Sequence, residues 1–122
     1  MMNLLVVDDD LVIRRVVMFT LKTIGVNVLA AENGTVALQI AEQQDIDLML
    51  VDINLPDMDG FSLMKHLHAM AKLTEVPIIA FTARNSADDE LRAQESGAIG
   101  FLYKPFSTQE LRDLVTKFNL QS

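Results

Sequence analysis

The chain has 122 residues, 17 acidic and 10 basic, for a formal charge of −7; half are hydrophobic and 22% are charged. That mix describes one globular domain with a core of its own and excludes disordered and collagen-like chains. Cysteine is absent, which excludes disulfides, thiolate metal sites and cysteine nucleophiles, and no apolar stretch approaches the ~20 residues of a membrane span.

The first apolar run, Leu4–Val7, ends in three acids, Asp8-Asp9-Asp10. Met1–Asp10 carries no basic segment, so it does not read as a signal peptide, and a cytoplasmic domain without membrane contact is expected. The acidic balance and the lack of a basic run argue against direct nucleic-acid binding. Leu11–Ile24 spaces Leu11, Arg14, Arg15, Met18, Leu21 and Lys22 as on a helix, and Gly25 is a natural stop. Val26–Ala31 reads as a second strand. Asn33-Gly34 breaks it, and Thr35–Gln44 is helical, with Val36 and Ile40, and Ala37 and Ala41, at i, i+4.

Leu48–Val51 is a continuous apolar strand, again ending in acid, at Asp52. Leu55–Gly60 is a loop by its Pro, Asp and Gly content, with Asp57 and Asp59 in turn and cap roles. Phe61, Met64, Leu67 and Ala71 mark one helical face, and His66 and His68 lie off it, toward solvent. Val76–Phe81 is a strand that ends in Thr82. Ser86–Ser96 is a polar helix closed by Gly97. Ile99–Tyr103 is a fifth strand, Lys104-Pro105 a turn, and Ser107–Phe118 the last helix, where Ser107 and Glu110 form a capping box. The methionines, Met18, Met49 and Met64 among them, read as core fillers.

Five strand–helix units in strict alternation predict an α/β fold with a parallel sheet. Right-handed crossovers place helices on both faces, and unbroken apolar runs in the middle strands fit burial on both sides. There is no internal repeat and no linker. The segment after Pro105 suffices for one helix and a short tail, so residues 1–122 are expected to form a single domain.

In open parallel sheets ligands bind beyond the carboxyl ends of the strands. Those ends deliver Asp8 and Asp9, Asp52, Thr82 and Lys104. At an effective dielectric of ~20 and ~5 Å, each like-charge pair among the acids costs about 3 kcal/mol, so the cluster must take up protons or recruit a cation. Hard oxygen donors without His or Cys select Mg²⁺, with Mn²⁺ an alternative. Mg²⁺ prefers one or two carboxylates plus a phosphate. A carboxylate is also a competent nucleophile toward phosphorus.

Val6-Val7-Asp8-Asp9-Asp10 with Arg14-Arg15, Val51-Asp52-Ile53-Asn54-Leu55-Pro56-Asp57-Met58-Asp59-Gly60, Phe81-Thr82-Ala83 and Tyr103-Lys104-Pro105-Phe106 together resemble the receiver domain of two-component response regulators. The likeness spans nearly all of residues 3–118. It implies a flavodoxin-like, doubly wound sheet of order 2-1-3-4-5 flanked by five helices, an order that periodicity does not establish. It implies Asp52 as the phosphoacceptor, with Lys104 and Thr82 assisting transfer. Asp8, Asp9, Asp52 and the backbone carbonyl of Asn54 are the implied Mg²⁺ ligands. The small Ala83 is implied to leave the phosphoryl approach clear, and Arg84 to flank the path of hydrolytic water unless it is a surface arginine. A cis Lys104–Pro105 peptide is implied, against a background of ~5–6% for X-Pro bonds.

The implied switch pair is Thr82 and Phe101. Where the family often has Tyr, this chain has Phe101, which has no hydroxyl; Tyr103, two residues on, points to the same face. By the same resemblance the donor is a sensor histidine kinase or a histidine phosphotransfer protein. The downstream target is a protein bound through the face of the fourth helix, fifth strand and fifth helix. Such a protein is not an enzyme beyond its own phosphorylation and dephosphorylation.

Three other readings compete. A receiver within a longer DNA-binding regulator is disfavoured by Ala98-Ile99-Gly100-Phe101, which lacks the paired Asp that many such regulators carry there. A phosphatase with an Asp nucleophile needs a second Asp where Asn54 stands. A flavodoxin needs a hydroxyl-rich phosphate loop where Asp8–Asp10 would repel the phosphate.

Overall fold

The computed structural model describes residues 2–82 and 87–119. In chain order the elements are β1 (Asn3–Val7), α1 (Leu11–Lys22), β2 (Asn27–Ala31), α2 (Gly34–Gln43), β3 (Leu48–Asp52), α3 (Gly60–Ala69), a 3-10 turn (Ala71–Leu73), β4 (Ile78–Thr82), α4 (Ala87–Glu95), β5 (Ala98–Tyr103) and α5 (Thr108–Asn119). The strands form one parallel sheet, ordered β2-β1-β3-β4-β5. This is the doubly wound fold the sequence and its resemblance predict.

Alternation along each strand splits the core in two. Leu4, Val6, Leu48, Leu50, Ile79 and Phe81 face α1 and α5, which contribute Val17, Leu21, Leu111 and Val115. Leu5, Val7, Met49, Val51, Ile78 and Ala80 face α2, α3 and α4. Every residue of β3 and β4 is buried, whereas the edge strands β2 and β5 are partly exposed. Unbroken apolar runs therefore mark strands covered on both faces.

Several boundaries move, each for a local reason. Val26 donates its amide to the Leu21 carbonyl (3.1 Å), closing α1, so β2 starts one residue later than predicted. Pro77 has no N–H to give; β4 begins at Ile78, although the Pro77 carbonyl still accepts from Met49 (3.0 Å). α3 ends at Ala69, and Ala71 passes to the 3-10 turn. The predicted start of the fourth helix at Ser86 lies outside the described residues, as do Ala83 and Arg84.

Met49 and Met64 are fully buried, but Met18 is exposed on the outer face of α1. His68 is half-buried rather than solvated: its Nε2 lies 3.0 Å from the Val76 carbonyl, which can only accept. Its ring also fills the space where a Cβ on Gly97 would stand, 2.4 Å from Nδ1. The capping box at α5 forms as predicted, with Ser107 and Glu110 each accepting from the other's amide.

Candidate functional site

Because β1, β3, β4 and β5 are neighbours in one parallel sheet, their carboxyl ends share one rim. Asp52 and Thr82 are the last residues of β3 and β4, and both are buried. Asp8 follows β1 and is fully buried; Asp9 beside it is exposed. Lys104 follows β5, its backbone amide held by the Thr82 carbonyl at 2.7 Å. The Lys104–Pro105 peptide is cis.

Carboxylate oxygens of Asp8, Asp9 and Asp52 lie within 4.8 Å of one another. The Lys104 ammonium reaches between two of them, with Nζ 2.5 Å from Asp8 Oδ2 and 3.2 Å from Asp52 Oδ2. Among the described residues one cation thus faces three acids. Asp8 Oδ2 is buried, and the Lys104 ammonium is the group that meets it. Asp8 Oδ1 accepts from the Asp10 amide (2.9 Å), and Arg14 Nη1 donates to the Asp8 carbonyl (2.8 Å). Asp10 caps α1 through the Val12 amide (2.8 Å). The triple-acid run therefore splits into one buried acid, one exposed acid and one cap.

Asp52 is held on both sides, by the Asn54 amide on Oδ1 (2.9 Å) and by Lys104 on Oδ2. Burial pushes its carboxyl above the usual carboxylate range; the Asn54 amide and Lys104 pull it back, and Asp8 adds to the rise. Burial pulls the Lys104 ammonium down, but Asp8 and Asp52 outweigh it and leave its pKa raised. The ammonium of Lys104 has an aromatic floor. Nζ sits 4.7 Å from the Phe81 ring centre, and Phe81 meets Phe106 at 5.3 Å.

Gly60 is a site residue that composition alone labels as turn. Its amide donates to Ile53 (3.0 Å), folding the loop back onto the end of β3. A Cβ there would stand 2.2 Å from the Asp52 carbonyl oxygen, so only glycine lets α3 start this close to Asp52. The preceding acids anchor the loop. Asp59 caps α3 through the Ser62 amide (2.8 Å), and Asp57 crosses to α2, accepting from the amides of Gly34 (2.9 Å) and Thr35 (3.0 Å). Those bonds hold both carboxyls below the usual range, the Gly34 amide leading for Asp57 and the Ser62 amide for Asp59.

Phe101 packs among the partly buried hydrophobics against the core on the α2, α3 and α4 side of the sheet. It is half-buried and stacks on Tyr103, with ring centres 6.1 Å apart and planes within 9°. The Tyr103 hydroxyl donates to Glu90 of α4. Burial first, then Glu90, pushes its pKa up to about 12. No local pattern marks Glu90 as this partner, because the contact joins two separate elements.

Among the described residues the donor set at the rim is entirely hard oxygen, with no His or Cys. It fits a divalent ion of the Mg²⁺ type. An acid held at defined geometry between an ammonium and a backbone amide fits attack on an electrophile that carries negative charge.

Residues 4–116 match the family model for the response regulator receiver domain. "Probable transcriptional regulator ycf29" of Porphyra purpurea is 35% identical over 113 residues, 93% of this chain and 54% of that protein; the chain spans about half the length of this relative. Chemotaxis protein CheY4 of Vibrio cholerae has a TM-score of 0.93 at 31% identity, covering 97% of this chain and 98% of that one. The receiver domain of sensor histidine kinase PA1611 from Pseudomonas aeruginosa, solved with a magnesium ion coordinated in its active site cleft, has a TM-score of 0.87 at 32% identity over 96% of each chain.

Proposed function

The chain belongs to the response regulator receiver family of two-component systems, and on that premise we propose that Asp52 accepts a phosphoryl group from the phosphohistidine of a sensor histidine kinase or a phosphotransfer protein. The observation that carries this reading is the convergence of Asp8, Asp9 and Asp52 with Lys104 on one rim. An Asp52 oxygen forms the new bond to phosphorus as the P–N bond to imidazole breaks. The bonds from Asn54 and Lys104 fix the carboxylate plane before attack. Asp8, Asp9, Asp52 and the Asn54 carbonyl would hold Mg²⁺, which, when bound, neutralises charge on the phosphoryl oxygens. Lys104 lies beside the attacking carboxylate and compensates the charge that arrives. The Thr82 hydroxyl donates to a phosphoryl oxygen.

Phosphorylation adds nearly two negative charges at Asp52. Thr82 and Phe101 respond, and the face of α4, β5 and α5 shifts toward the form that binds a downstream protein. Residues 1–122 act as one receiver module in the cytoplasm, with no activity beyond their own phosphorylation and hydrolysis. None of the described helices is long and apolar enough to cross a membrane.

A second reading, a receiver module within a longer DNA-binding regulator, draws on the ycf29 relative, a transcriptional regulator by name and nearly twice as long as the matched segment. A reading frame that continues past Ser122 into a DNA-binding domain would establish it.

The test of the main reading is incubation with acetyl phosphate or beryllofluoride and Mg²⁺, read by intact mass or NMR shifts, with Asp52→Ala as control. Modification of wild type alone is expected. No modification of wild type, or equal modification of the variant, overturns it.

A further inference from the structure

α1 is amphipathic twice over. Its inner face is buried through Val17, Thr20 and Leu21, yet its outer face shows Leu11, Met18 and Phe19 to solvent, with Phe19 71% exposed. Beside that outer face lies a groove of about 540 Å³, walled by Met18 and Phe19 of α1 and floored by Val26, just before the edge strand β2, and by Val28 within it. It sits at the amino edge of the sheet, on the rim opposite Asp8, Asp9 and Asp52.

The charge of this groove departs from that of the molecule. The chain is −7 overall, but α1 contains no Asp or Glu. Arg15 and Lys22 flank the apolar walls, and among the described residues no carboxylate lines the groove. Among the described residues neither cation has an acid within ion-pairing distance. On a helix the two lie about 10 Å apart along the axis, at 1.5 Å per residue.

The size decides between occupants. Small-molecule sites run from roughly 300 to 1,000 Å³, with mostly apolar walls and a few polar groups that set orientation. A stable protein interface needs roughly 20–30 residues a side, and eight line this groove.

We propose that the groove between α1 and β2 binds a small amphipathic carboxylate, its alkyl or aryl body against Met18, Phe19, Val26 and Val28 and its anionic group on Arg15 or Lys22. The ligand class follows from the pairing of an apolar floor with unpaired cations. This site is independent of phosphoryl transfer and goes beyond the receiver reading.

The probe is sodium decanoate below its micelle concentration, titrated into ¹⁵N-labelled protein. Saturable amide shifts confined to Phe19, Lys22, Gly25 and Val28 are expected. Decanol and decyltrimethylammonium should bind at least tenfold more weakly. Arg15→Gln with Lys22→Gln should weaken decanoate at least tenfold, whereas Lys65→Gln with Lys117→Gln, the same change in net charge elsewhere, should leave it unchanged. All four side chains are exposed, so the fold tolerates the exchanges.

Equal binding of decanol, equal loss in the two double variants, or shifts centred on another face overturns the proposal. So does an acidic amphipathic helical peptide, or a phosphatidylglycerol vesicle, that occupies these residues while decanoate does not.

Discussion

Lys104 shows how one side chain sets the balance of the rim. Its ammonium offsets fully buried Asp8 and nearly buried Asp52, and each acid in turn keeps it protonated. Truncating one partner of a buried ion pair leaves the other charges unpaired, at about 3–5 kcal/mol. The Lys104 side chain keeps 19% of its surface exposed, so Lys104→Ala should lose about 3 kcal/mol, at the lower end of that range, in urea unfolding at neutral pH without Mg²⁺. The same variant should still accept phosphate from acetyl phosphate, slowly, and fail to raise partner affinity. Normal partner affinity after modification would remove Lys104 from the switch. Asp8, Asp9, Asp52, Thr82 and Lys104 were all legible beforehand, because each stands just after or at the end of an apolar run. Gly60 was not: its role is a contact with the backbone of another element.

At the scale of elements, the loop between β3 and α3 is tied at both ends. Asp57 fastens it to the start of α2, and Asp59 caps α3. The folded pKa of Asp57 lies below its unfolded value, so its contribution is fully present above pH 3.8 and is lost as pH falls through the folded value. Asp57→Ala should therefore unfold at lower urea than wild type at pH 7, with the gap closing as the pH drops below 3.8. A gap that persists in acid would show that the carboxylate charge is not what secures α2.

Gly60→Ala drives a Cβ into the Asp52 carbonyl. Overpacking against backbone costs about 1–3 kcal/mol, and the displaced end of β3 should slow modification of Asp52 as well. An alanine variant with wild-type stability and rate would show that the loop yields without strain. Neither contact was readable in advance. The cap roles of Asp57 and Asp59 follow from residue type, but the partner of Asp57 lies across the fold.

At the scale of the whole molecule, a divalent cation offsets, in the proposed function, the repulsion among Asp8, Asp9 and Asp52. A ligand at a hundredfold excess over its dissociation constant stabilises a one-site protein by about 2.7 kcal/mol, on the order of 10 °C in Tm for a domain of this size. Mg²⁺ should raise the Tm of wild type on that scale. It should leave Asp8→Asn with Asp9→Asn unmoved, and chelation should reverse the gain. A wild-type Tm indifferent to Mg²⁺ would take the metal out of the reading.

The amino-acid sequence by itself determined the alternation of strands and helices, the apolar runs that become β3 and β4, the caps at Asp59 and Ser107, and the residues that stand at the strand ends. These are set by neighbours a few positions away, through periodicity and short-range hydrogen bonds. That β1 lies against β3, which brings Asp8 to Asp52, followed from the family resemblance and not from periodicity, and the tertiary structure bears it out. Tertiary structure alone placed Gly60 on Asp52, Tyr103 against Glu90, His68 under Gly97 and Met18 in solvent. Strand order and burial depend on how complete faces pack, and no local segment carries that information.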